Sequence, residues 1–237
     1  MDRQTRKDLK TDKFAEDVFD VMSWATEHKA AVIRYSVAVV AVVAIGLGIM
    51  FYNRSQATQR EEALAKALRI DDAIPGPVAT PPALHFNTEE EKDKARTAAF
   101  SELASKYSGS QEAAMAEMYM AGYDVDAGNL DSAAKRFKHV VDDAPKPYAA
   151  LARLALAQVY ATQGKTADAE KLLRELINNP TVTVSKEQAT LVLGQLLAQS
   201  NPAEAHKLID PLRTSTRSAV SRAAITASAA IPNAAAK

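Results

Sequence analysis

The apolar and polar positions of this chain fall into three regimes. From Tyr35 to Tyr52 the sequence reads YSVAVVAVVAIGLGIMFY, and no charged residue lies between Arg34 and Arg54. That uncharged stretch makes roughly 28 Å of helix, the thickness of a bilayer's hydrocarbon core, and it lacks the polar stripe of a helix buried in a soluble core. Tyr35 and Tyr52, with Arg34 and Arg54 just outside them, supply aromatic and basic interfacial anchors. Ahead of the span, Phe14, Val18, Met22 and Ala25 recur close to spacing four, with Phe19 and Trp24 beside them, which predicts an amphipathic helix. That helix either lies on the membrane face, docks on a cytosolic partner, or simply leads into the span.

After the span, residues 53–74 are rich in Ala, Glu, Leu, Lys and Arg, and Ala57, Glu61, Leu64 and Leu68 keep a helical spacing, so the membrane helix is expected to continue outward as a stalk. Pro75, Gly76, Pro77, Pro81 and Pro82 predict its end and a linker reaching Thr88, because proline removes a backbone donor and restricts the residue before it. Thr88 and Glu91 stand at the two positions of a capping box. From there to Ile231 the periodicity is helical throughout. The resulting division is 1–34, a tail with an amphipathic helix; 35–52, the span; 53–88, stalk and linker; 89–231, a helical domain; and 232–237, a flexible end.

The helical domain repeats. GNLDSAAKRFKHVV (128–141), GKTADAEKLLRELI (164–177) and SNPAEAHKLIDPLR (200–213) align without gaps at an offset of 36 residues. Ala133, Ala169 and Ala205 coincide, as do Phe137, Leu173 and Ile209, and Val140, Leu176 and Leu212. A small residue at a fixed place lets two helices approach, and apolar residues at the next places give the packed face. Repetition at this period means stacked helix pairs, an all-α solenoid. Each unit has a preceding helix, marked by Met120, Ala121 and Asp124, by Leu156, Ala157 and Tyr160, and by Leu193, Gly194 and Leu197. Arg96, Phe100, Leu103 and Tyr107 look like the second helix of an earlier unit whose first helix the prolines interrupt, and 215–230 reads as a closing helix with Val220, Ala224, Ile225 and Ala227 on its covering face.

Composition narrows the function classes. Basic and acidic residues number 29 each, so no strong field attracts nucleic acid, and the basic residues after Gly164 are not interleaved with aromatics. There is no cysteine, which excludes disulfides and thiolate chemistry. His28, His85, His139 and His206 show no metal-ligand spacing, and no phosphate loop or nucleophile elbow is present, so no cofactor is expected. Acidic clusters such as Glu89 to Glu91 read as solvated helix ends. The 34 residues before the span, with no apolar run among the first of them, predict an uncleaved signal anchor rather than a cleaved leader. Arg54, Arg60, Lys66 and Arg69 outnumber Lys29 and Arg34 near the span, but the short tail adds Arg3, Arg6, Lys7, Lys10 and Lys13; tail inside and domain outside is the orientation expected.

The coincident Ala and Phe/Leu/Ile positions, the paired preceding helices and Pro145 together resemble the tetratricopeptide repeat. Three departures stand out: the 36-residue offset, expected to lengthen a turn of the usual 34-residue unit, the absence of the large aromatic usual early in the first helix, and Asp124 where an aromatic is usual. A short tail, one span and such repeats resemble the ancillary subunit family of the bacterial Sec translocon (YfgM-like proteins). That resemblance implies a single-pass protein of the bacterial inner membrane with periplasmic repeats, associating with the translocon, periplasmic chaperones or exported clients. It further implies that the first helix of each unit lines a concave groove, making Met118, Gly122, Asp126, Leu154, Gln158, Gln195 and Gln199 candidate protein-binding residues. The bilayer is the expected partner of Tyr35 to Tyr52. The alternatives are an envelope-biogenesis or cell-division coordinator using the same repeats, a cytosol-facing adaptor of inverted topology, a subunit whose span does the packing, and an enzyme with a dispersed site.

Overall fold

The computed structural model describes residues 19, 21–76 and 84–232. The expected flexible ends, Phe14 and Val18 of the amphipathic stripe, and Pro77, Pro81 and Pro82 lie outside the described residues. The chain divides into two compact units, Met1–Thr58 and Gln59–Lys237, the division falling inside one long helix.

In the first unit, residues 21–27 are helical, His28 sits in a turn with its ring stacked on Trp24 at 5.1 Å, and α1 (Lys29–Asp71, 43 residues) begins. From Ile33 to Ser55 every residue of α1 is exposed. By length and composition it is the one helix among the described residues able to cross a membrane.

The second unit is a stack of helix pairs. After the end of α1 come α2 (Glu89–Lys106), α3 (Gln111–Asp126), α4 (Leu130–Asp143), α5 (Lys146–Thr162), α6 (Thr166–Asn178), α7 (Lys186–Leu197), α8 (Pro202–Ile209), a short 3-10 turn (Asp210–Thr214) and α9 (Ser218–Ala230). No strand occurs among the described residues. The Thr88 hydroxyl accepts from the Glu91 N–H, opening α2, and the Glu91 carboxylate reaches back to the Asn87 N–H at 3.0 Å rather than to Thr88 itself. Gly128 and Gly164 adopt φ of 77° and 75°, the left-handed conformation that lets the chain reverse within two residues.

The repeated positions are the core. Ala133, Ala169 and Ala205 are fully buried, and Phe137, Leu173 and Ile209 pack beside them. Leu212 is only partly buried, because Pro211 cannot continue α8 and the chain tightens into the 3-10 turn. On α9 the covering residues are Ala224 and Ala227, with Ile231 just beyond its end; Ile225, expected on that face, is half exposed. The 36-residue offset has two origins rather than one lengthened turn. The second unit extends its first helix to 17 residues, and the third inserts the loop 179–185, where Val184 is buried as an anchor and the Thr183 hydroxyl donates to the Pro147 carbonyl at 2.7 Å.

Another cluster precedes these. Ala67 is fully buried with Phe100, Leu103, Ala116 and Met120, so the last turns of α1 pack on α2 and α3. Gly76 donates to the Phe86 carbonyl at 3.0 Å. Polar contacts fix the same helix. Arg60 faces the buried Glu112 carboxylate at 3.5 Å, and Arg96 reaches Asp71 at 3.3 Å with its guanidinium 3.7 Å above the Tyr123 ring. Burial, with the facing Asp71 carboxylate, pushes the Tyr123 phenol's pKa well above its ordinary value.

Candidate protein-interaction groove

The α3 and α5 helices are the first members of successive pairs, and between their C-terminal halves an open groove of about 500 Å³ runs over α4. Val125 of α3, Leu130 and Phe137 of α4, and Ala155 and Val159 of α5 give it an apolar lining. Gly122 and Asp126 come from α3 and Gln158 and Thr162 from α5, each pair four residues apart and therefore on one helical face. Asp126 and Gln158 are exposed. Gly122 leaves open space where a side chain would stand, which keeps the groove deep beside Asp126.

Asp124 is outside the groove lining, and its contacts account for it. Its carboxylate accepts from the Ser132 hydroxyl at 2.7 Å and from Arg136 Nε at 2.9 Å, while Arg136 also donates to Glu117 at 3.0 Å. Burial alone would lower the proton affinity of Arg136; the bonds to Glu117 and Asp124 reverse that and hold it above its ordinary value. An ionic staple from α3 to α4 thus occupies the place an aromatic usually fills. In the next unit Tyr160 holds the equivalent place, with Lys165 Nζ 5.4 Å from its ring centroid. Gln163 donates to Asp131 at 2.8 Å, tying the end of α5 to the start of α4.

Of the residues proposed from sequence, the structure brings Gly122, Asp126 and Gln158 together at this groove. Met118 is half-buried against the cluster containing Ala121 and Phe137, and Leu154 is 8% exposed within the cluster containing Leu173 and Leu193. Both side chains face neighbouring helices. Gln195 is exposed on α7, and Gln199 lies in the turn beyond Leu197, where α7 has ended; neither lines this groove. Ala155 and Thr162 were not singled out from sequence, although spacings of three and four from Gln158 place them on its face. Among the described residues no three His, Asp or Glu side chains are grouped to hold a metal ion.

Comparison with known proteins gives one match. The family model of a Tetratricopeptide repeat-like domain matches residues 23–207. No curated protein and no solved structure matches the chain.

Proposed function

The chain belongs to the tetratricopeptide repeat-like domain family, and from that premise we propose that it is a membrane-anchored scaffold serving protein export in the bacterial envelope. Domains of this type are protein-interaction modules and are generally non-catalytic. The observation that carries the reading is an open apolar groove on a helical-repeat unit, in a chain that also holds one exposed apolar helix of membrane-spanning length. In this reading residues 35–52 lie in the inner membrane, the tail is cytoplasmic, and the repeats work in the periplasm as an ancillary factor between the translocon and chaperones. Tethering raises the concentration of the groove near chains emerging at the membrane, which strengthens weak binding without new contacts.

The chain has no cysteine, so one introduced thiol reports its compartment without background. Lys165 is exposed at the turn before α6 and is a suitable position. In cells with a permeabilised outer and an intact inner membrane, Lys165→Cys is expected to react fully with an impermeant maleimide. Reaction only after the inner membrane is breached would place the repeats in the cytosol.

A further inference from the structure

The apolar lining of the α3–α5 groove is joined at its rim by one formal charge, Asp126; no lysine, arginine or histidine lines it. The acidic groups nearest in sequence already have hydrogen-bond partners. Asp124 and Glu117 hold Arg136 between them, and Asp131 accepts from Gln163. Asp126 by contrast is exposed and makes no ion pair or hydrogen bond among the described residues. Gln158, across the groove, offers an amide that both donates and accepts, suited to a peptide backbone.

We propose that this groove takes a polypeptide segment whose apolar side chains seat on the lining and which places a lysine or arginine beside Asp126. The inference rests on the groove being the protein-binding site. A cation there gains a partner at little desolvation cost, whereas a glutamate or a chain-terminal carboxylate meets an unmatched like charge with no basic group to receive it. The apolar lining excludes a purely charged ligand, because that surface would be covered by solvated groups without gain. The groove therefore discriminates by the sign of the charge flanking an apolar stretch.

Two synthetic peptides with identical leucine spacing, one with lysine and one with glutamate at every polar position, test this against the full-length protein in detergent by fluorescence anisotropy. The lysine peptide is expected to bind, with the glutamate peptide weaker by roughly tenfold. Asp126→Asn should reduce lysine-peptide affinity by roughly threefold, the scale of one exposed ion pair, and Asp126→Lys should invert the preference. Gly122→Leu fills open space, raises helix propensity, and should block the peptide while the helical circular dichroism is unchanged. Equal or tighter binding of the glutamate peptide, or a preference that Asp126→Lys does not change, overturns the charge selection; the groove reading survives that result if Gly122→Leu still blocks. Binding unaffected by Gly122→Leu, or failure of both peptides to bind, overturns the groove itself.

Discussion

Replacing Gly194 by valine is expected to lower the stability of the repeat unit by about 3 kcal/mol, measured by denaturant unfolding of the full-length protein in detergent. A Cβ on residue 194 falls on the Ile209 side chain and lies 3.6 Å from the Ala205 carbonyl. Ile209 and Ala205 are fully buried, so the isoleucine cannot swing into solvent and the α7–α8 pair must part. Position 194 corresponds to Ala121 and Ala157 in the earlier units, both buried, but here a Cβ has no room. Gly194→Ala gains about 1 kcal/mol of helix propensity against a similar or larger overpacking cost. Combining it with Ile209→Ala, which removes both Cγ1 and Cδ1, should cost less than the sum of the two single substitutions. Wild-type stability for Gly194→Val would mean that the two helices do not meet at this point.

Phe100→Ala should cost about 3–5 kcal/mol, with its loss at the opposite end of the unit. The ring is fully buried among Ala67, Leu103 and Met120, and it stacks on Tyr119 at 5.2 Å. Its removal opens a cavity where the last turns of α1, α2 and α3 join, and close packing leaves no neighbour free to fill it. Hydrogen exchange separates this from a general loss: amides of residues 63–70 and of α2 should lose protection together, while α7 and α9 keep theirs. If residues 63–70 exchange as in the unaltered protein, that segment is an independent stalk and does not pack on α2 and α3.

The cluster around Phe100 shows where sequence reading reaches its limit. Residues 53–74 are legible as helix from composition, but Ala67 gives no sign that it packs on Phe100, because the partner lies beyond a proline-rich connection whose ends are joined by one backbone hydrogen bond. Asp124 reads as a defect in the repeat until Arg136, twelve residues on, is seen to bind it; periodicity does not register a pairing between helices. The repeated alanines, by contrast, are legible because the same close approach recurs in three units. At the groove, four-residue spacing puts Gly122 with Asp126 and Gln158 with Thr162 on common faces. Leu154 looks equally suitable, yet α5 is apolar on more than one side, and pattern alone does not tell the side against α6 from the open one. Gln199 follows the same spacing as Gln195, but the Ala198 N–H bonds to the Gln195 carbonyl, three residues back, and the helix has already ended.

Photocrosslinking from residue 158 in intact cells tests the central claim, that the α3–α5 groove holds other polypeptides, most directly. A photoreactive amino acid in place of the exposed Gln158 should yield protein adducts, identified by mass spectrometry, that Gly122→Leu removes without changing the amount of the scaffold. Absence of adducts, or adducts that persist with the groove filled, would contradict it.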